Sequence, residues 1–322
     1  MEWPKIRKTK AEGHPPYVRS EDLARQFEET EKYVYGSTIV EAFDVKAETL
    51  KSETSVFFGT GWGASRGVYE ANILGIADRG RRVLSMFAPH GIDTDPDFGK
   101  GDKTYASAEL RKAAAMLRML EEKDIEPFDI VAHSESAIWT LIVASMHPEK
   151  IRNIVLIDPA GLIDEDTTKR LSVSFVRDIV QGALNKEKLP RPVVERSVQP
   201  GSPSDLFGAL RNIAGSPMQS LKEVLAIRDA DIRKMLEDLK AQGKRISIIQ
   251  GERDVIFPKE RMERVVNTKH VDGFYSVYGG HNEMNSNPTP YIGVIDHALD
   301  ALERLSRWDK MKPSISPEKD SE

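Results

Sequence analysis

The chain has 322 residues, 39% of them hydrophobic and 30% charged, so it can bury a sizeable core and is too long for a small stapled module. A formal net charge of −5 leaves no basic excess to neutralise phosphates, which argues against a nucleic-acid binder. The absence of cysteine excludes disulfides, thiolate catalysis, cysteine zinc sites and iron–sulfur clusters.

Residues 1–30 read as an N-terminal extension. Its first part is polar, holds Pro4, Pro15 and Pro16, and carries a basic cluster (Lys5, Arg7, Lys8, Lys10) that reads as a solvated arm. No apolar run follows these basic residues, so a secretory signal is not expected. No segment approaches the ~18 consecutive apolar residues of a membrane span. The expected location is cytoplasmic.

Short apolar runs then alternate with helical patterns. Strands are expected at "YVYG" with "TIVEAFDV" (33–45), and at 55–58, 82–87, 128–132, 153–157, 246–249 and 274–278. Several of these, such as "SVFF" and "NIVLI", are unbroken apolar runs, as in strands buried on both faces of a parallel sheet. In 105–122, Leu110, Ala113, Ala114, Leu117 and Leu120 fall on one helical face; in 291–305, Ile292, Ile295, Leu299 and Leu302 do the same. Gly80 and Pro148 sit where helix ends are expected. Trp139 and Met146 read as helix packing, and His14, His147, His270 and His297 as surface or helix-end residues.

Strand–helix alternation predicts a doubly wound α/β sheet. It breaks once, over 163–242, where only helical patterns appear. The simplest account is a helical cap inserted between two strands of one sheet, leaving 31–162 and 243–308 as the core and 309–322 as a tail of disordered composition. The cap carries Leu171, Val173, Phe175, Val176, Ile179, Leu206, Phe207, Leu210, Ile213 and Met218, some to pack on the core and some to face a substrate.

The segment "DIVAHSESAIW" (129–139) places two serines between a strand and a helix. A nucleophile held at a sharp strand-to-helix turn needs small residues two positions before and after it. Ser134 has Ala132 and Ser136 there; Ser136 would have Ser134 and the bulky Ile138. Ser134 is therefore the candidate nucleophile. A serine needs a base and the base an orienting acid. His281, in "VYGGHNEM", follows one strand, and Asp254, in "IIQGERDVIFP", follows another. All three fall at C-terminal strand ends, where open α/β sheets bind ligands.

In these motifs and their order, Ser134, Asp254, His281, the chain resembles the α/β-hydrolase family over roughly residues 33–306. "AHSES" matches the family's elbow, "GERDVIFP" its acid loop, "GGHNEM" its histidine loop and "FFGTGWGAS" its oxyanion loop. The resemblance implies the α/β-hydrolase fold: a mostly parallel, doubly wound sheet of about eight strands, with a helical cap after the sixth. It also implies a serine hydrolase of the carboxylesterase or lipase kind, acting on a small-molecule acyl ester without cofactor or metal. Ser134 would be the nucleophile, His281 the base and Asp254 its orienter. The backbone N–H groups of Trp62 and Glu135 would form the oxyanion hole, with Gly61, His133 and His90 lining the site. Two departures stand out: the usual glycines flanking the elbow are Ala132 and Ser136, and Thr60 replaces the histidine that opens the family's oxyanion loop.

Other readings fit less well. Gly59, Gly61 and Ala64 match a dinucleotide fingerprint, but the next strand ends in Ala88-Pro89-His90, with no acid to hold a ribose. "DTDPDFG" (93–99) lacks the glycine and the final glutamate of a calcium loop and reads as a turn. Asp158, at the end of the sixth strand, is the alternative acid; its plainer role is to hold the cap hinge. C–C bond hydrolysis or acyl transfer could run on the same three residues, and a ligand-binding protein without turnover is the non-enzymatic alternative. The oligomeric state is not legible in the sequence.

Overall fold

The structure, a computed structural model, describes residues 20–35, 38–63, 66–87, 105–125, 127–163, 166–184, 215, 217–267 and 269–311. His90, the acidic turn at 93–99, Ala64, the basic N-terminal cluster, the C-terminal tail, and Leu206, Phe207, Leu210 and Ile213 of the cap lie outside the described residues.

Eight strands form one sheet: β1 (Glu31–Tyr35), β2 (Thr38–Val45), β3 (Ser55–Gly59), β4 (Val83–Phe87), β5 (Phe128–His133), β6 (Ile151–Ile157), β7 (Arg245–Gly251) and β8 (Gly273–Val277). Their order is β1-β2-β4-β3-β5-β6-β7-β8. β1 and β2 run antiparallel to each other, and β2 antiparallel to β4; every later pairing is parallel. The two runs expected within 33–45, "YVYG" and "TIVEAFDV", correspond to the paired strands β1 and β2. The unbroken apolar runs are central: every residue of β3, β4 and β5 is buried. Helices cover both faces, as burial on both sides demands.

Helix α1 (Glu21–Glu28) opens with a Ser20 cap, its hydroxyl accepting from the Leu23 N–H, and with Glu21 and Asp22 in the first turn. It buries Leu23, Ala24 and Phe27, and the Phe27 ring stacks on Phe43 of β2 with centroids 4.5 Å apart. The last part of the expected extension is therefore packed on the core. Helix α2 (Arg66–Asp78) ends at Gly80, whose φ of +81° is the left-handed conformation glycine adopts without a Cβ penalty. Helix α3 (Ser107–Glu122) carries the expected stripe, but the buried face is wider: it includes Met116, Met119, Glu109 and Lys112, while Leu117 is only partly covered. Helix α4 (Ser136–Met146) follows β5 and is buried over nearly its whole length. Trp139 packs inside, whereas Met146 is 58% exposed at the helix end, contrary to the packing role expected of it. Pro148 starts a single 3₁₀ turn.

Between β6 and β7 lie α5 (Thr168–Leu184), α6 (Pro217–Asp229) and α7 (Arg233–Ala241). The last buries Leu236 and Leu239 and packs against α4 and β7, so it is the crossover helix of the sheet although it falls within the stretch expected as cap. Helices α8 (Lys259–Val265), α9 (Glu283–Ser286) and α10 (Pro288–Met311) complete the fold. Among the histidines expected at surfaces or helix ends, His297 is exposed but His270 is buried, because its ring accepts from the Asn267 N–H and folds back under the loop. Among the described residues no helix is long and apolar enough to cross a membrane.

Candidate active site

β5 lies in the middle of the sheet, and the chain leaves it through Ser134, held at φ +59°. A non-glycine residue in this region stores on the order of 1–3 kcal/mol, and such strain persists only where the surroundings over-determine it. Here they do. The Ser134 N–H donates to the Ile157 carbonyl (3.0 Å), and the Ser134 carbonyl accepts from Ala160 (3.1 Å) and Ala137 (3.2 Å). Ser136, the small flank, donates its hydroxyl to the His133 carbonyl at 2.8 Å. The opposite wall explains why the flank must be small. A Cβ placed on Gly59 would meet Ser136 Oγ at 2.7 Å, so the turn and the end of β3 touch with no room for either to grow.

The three expected residues meet. His281 Nε2 lies 2.9 Å from Ser134 Oγ, and His281 Nδ1 lies 2.8 Å from Asp254 Oδ2. All three are buried. Asp254 is fixed by its other oxygen, which accepts the N–H groups of Ile256 (2.7 Å) and Phe257 (2.9 Å); Gln250 Nε2 adds a longer contact to Oδ2 at 3.3 Å. Burial works against a charged imidazole at His281. The Asp254 charge and hydrogen bond outweigh it, Asp158 and Asp178 add to them, and the pKa is pushed up to about 9.

Asp158, the alternative acid, sits one strand nearer, at φ +44° after β6. Its Oδ1 accepts the Gly251 N–H at 2.6 Å, while its buried Oδ2 has no hydrogen-bond partner among the described residues. Burial, reinforced by the Asp254 charge, holds this carboxyl well above the usual carboxylate range. Asp254, not Asp158, pairs with the imidazole.

His133 is buried between two partners: the Tyr69 hydroxyl at 2.6 Å from Nδ1, and the His281 carbonyl at 3.1 Å from Nε2. Burial, and then the charge on His281, keep its pKa well below that of an ordinary histidine, so it is a neutral tether. Tyr69 also accepts the Gly61 N–H at 3.0 Å. A Cβ on Gly61 would come within 3.3 Å of Ser134 Cβ, which places the loop after β3 directly against the serine. With the Gly61 amide occupied by Tyr69, the amide that follows it is that of Trp62, the expected donor. Glu135, the other expected donor, caps α4 immediately after Ser134.

Several residues at the site were not anticipated. Tyr69 sits on α2, a helix buried through most of its length, and nothing in its sequence context marks it. Asp178 of α5 is buried beside the histidine loop, where its Oδ2 accepts from Asn282 Nδ2 at 2.8 Å; burial raises its pKa. Arg170, in the first turns of α5, donates to the Ile256 carbonyl at 2.8 Å and so grips the acid loop. Among the cap residues, Leu171 is buried and Phe175 meets Trp62 edge-on at 5.2 Å, while Val173 and Met218 are exposed. Val176 and Ile179 lie on α5, and their side chains are outside the described set. His133, Asp158 and His281 together offer three atoms within 4.8 Å of one another, but His281 and His133 are already engaged as described.

No family model matches the chain. A curated protein of Mycobacterium phage D29, named provisionally as a non-heme haloperoxidase, is 23% identical over 275 residues, covering 81% of this chain and 93% of its own. Among solved structures, an enol-lactonase from Burkholderia xenovorans LB400 superposes with a TM-score of 0.59 at 14% identity, covering 84% of this chain and 100% of its own. A bromoperoxidase from Bacillus anthracis gives 0.59 at 16% identity, over 84% and 99%. A carboxylesterase from the thaumarchaeon Nitrososphaera gargenis gives 0.58 at 17% identity, over 85% and 99%. With eight strands in this order, parallel from β4 onward, and helices on both faces, the chain is a protein of the α/β-hydrolase fold.

Proposed function

We propose that the protein is a serine hydrolase that cleaves a carboxylic ester through an acyl-enzyme on Ser134. The observation that carries this reading is the continuous hydrogen-bonded line from Ser134 Oγ through His281 to Asp254. In the proposed cycle Ser134 Oγ attacks the acyl carbonyl as His281 Nε2 takes its proton. The same imidazole then protonates the departing alcohol. Asp254 accepts from Nδ1–H, fixing the tautomer and balancing the imidazolium. The Trp62 and Glu135 amides receive the oxyanion, where one donor is typically worth on the order of 10²–10³ in rate. Water enters by the reverse sequence, frees the carboxylic acid and restores Ser134. No step calls for a metal or an organic cofactor.

Apolar side chains next to the site, Phe175 against Trp62 and Phe257 with its ring 5.2 Å from that of His281, favour an apolar acyl group. The carboxylesterase and enol-lactonase among the structural neighbours are consistent with ester chemistry. Intact mass after incubation with a fluorophosphonate, on wild type and Ser134→Ala, tests the assignment. One adduct that vanishes in the variant, along with hydrolysis of nitrophenyl esters, is the expected result. An unlabelled wild type, or a Ser134→Ala protein that still turns over, overturns it.

A further inference from the structure

Both expected oxyanion donors carry side chains that end in one buried ionic cluster. Glu135 Oε1 is 2.5 Å from Lys112 Nζ of α3. The same ammonium lies 3.4 Å from Glu223 Oε1 of α6. The other Glu223 oxygen accepts the Trp62 indole N–H at 2.8 Å. The line Glu135–Lys112–Glu223–Trp62 thus runs from one donor residue to the other through a core helix and a helix of the inserted segment. Lys112, Glu135 and Glu223 are all buried. Glu109, one turn before Lys112, is buried beside them, and burial together with the Glu135 charge holds it well above the usual carboxylate range. Burial disfavours the Lys112 ammonium, but the charges of Glu135, Glu109 and Glu223 outweigh that effect and keep it protonated.

A cluster of this composition is an odd choice for stability alone. Buried ion pairs are often matched or bettered by apolar residues of similar volume, because desolvation offsets the attraction. It is a better choice for position. Backbone donors act on a developing oxyanion only if they are already aimed when the charge forms. A carboxylate on the residue that donates also opposes negative charge on the substrate unless a cation neutralises it.

We propose that Lys112 and Glu223 are positioning residues for the oxyanion hole: through the side chains of Glu135 and Trp62 they fix both backbone donors, and Lys112 screens the Glu135 carboxylate from the oxyanion. Neither touches the reacting atoms. This rests on the serine-hydrolase reading above. A consequence is that α6, although part of the inserted segment, contributes to the chemical step and not only to substrate entry.

The test compares wild type, Lys112→Met and Trp62→Phe, the last keeping the backbone donor and the ring while removing the indole N–H. Hydrolysis of 4-nitrophenyl butyrate is measured beside inhibition by an alkyl trifluoromethyl ketone, whose adduct carries an oxyanion. The expected result is a fall in kcat of about tenfold or more in both variants, KM within about twofold, and ketone affinity weakened by the same factor as kcat. Restoration of part of the loss in Lys112→Met/Glu135→Gln, which removes the unscreened carboxylate, is also expected. Should Lys112→Met fail to fold, Trp62→Phe decides alone. Unchanged kcat and ketone affinity in Trp62→Phe overturn the proposal, as does a loss that appears in KM or thermal stability with ketone affinity intact. Wild-type labelling by the fluorophosphonate, run alongside, separates the two readings: if it fails, the serine assignment falls first.

Discussion

The two ends of the parallel strands both hold buried charge, and they handle it differently. At the N-terminal ends Arg81, fully buried just before β4, meets a partner with every nitrogen: Asp296 at 3.2 Å, Asp300 at 2.6 Å and Glu303 at 2.9 Å, all from α10. Arg152 of β6 pairs with Asp129 of β5 and reaches Glu303 at 2.8 Å, and Asn153 donates twice to Asp129. At the C-terminal ends, by contrast, Ser134 and Asp158 are held at positive φ on adjacent strands. An Asp158 oxygen has no partner among the described residues, and three carboxylates, Asp254, Asp158 and Asp178, act on one imidazole. Saturated charge clamps a helix to the sheet; strained and crowded charge marks the end where chemistry is proposed.

Three substitutions and one titration would sharpen or break this contrast. The largest effect is expected from Asp254→Asn, which leaves His281 without its anionic partner. A loss on the order of 10⁴ in kcat is expected, with fluorophosphonate labelling slowed in proportion. Next comes the opposite end. Arg81→Met removes the buried cation between three carboxylates, leaving Glu303 with Arg152 and Asp296 and Asp300 with Lys51, and should destabilise the fold by about 3 kcal/mol, read as a lower denaturant midpoint, while activity per folded molecule stays near wild type. A large loss of kcat in the folded fraction would show that the two ends are not separable.

The pH profile follows. Because the His281 pKa is pushed up to about 9 from 6.5, the imidazole in the free enzyme is mostly protonated at neutral pH, and only the neutral form can act as base. kcat/KM should therefore rise with pH along a limb centred near 9. The same shift makes a stabilising contribution that is fully present below 6.5 and is lost as pH rises through 9. A limb near 6.5 would mean that the carboxylates around His281 are not ionised together. The smallest effect is expected from Asp158→Asn. Burial raises the pKa of this carboxyl and it does not pair with the imidazole, so kcat should stay within about tenfold of wild type. A drop comparable to that of Asp254→Asn would reverse the assignment of the acid.

Much of this was legible in the sequence, for reasons that can be named. β3, β5 and β6 are buried on both faces and so appear as apolar runs. Ser134 could be separated from Ser136 because the turn tolerates only small flanks, and the close approach of Gly59 to Ser136 is the contact that imposes this. Asp254 and His281 were found because they follow apolar runs immediately. What escaped notice depends on tertiary neighbours. Glu109 and Lys112 look like residues of a solvated helix face until α4 and α6 cover them. The crossover helix α7 reads as cap in the sequence because 163–242 shows only helical patterns, and its packing on α4 and β7 is a tertiary fact.

The tether formed by His133 has one more consequence. β5 and β8 are separated in the sheet by β6 and β7, which at roughly 4.8 Å per strand puts about 14 Å between their axes. The loop after β8 must cross that span to bring His281 to Ser134, and the His133 side chain on β5 catches its main-chain carbonyl on arrival. Residues 278–280 therefore work as a gauge block. Gly279 has no room for a Cβ against the Tyr291 hydroxyl, and adding or removing one residue would carry the carbonyl past the His133 nitrogen and the imidazole past the serine together.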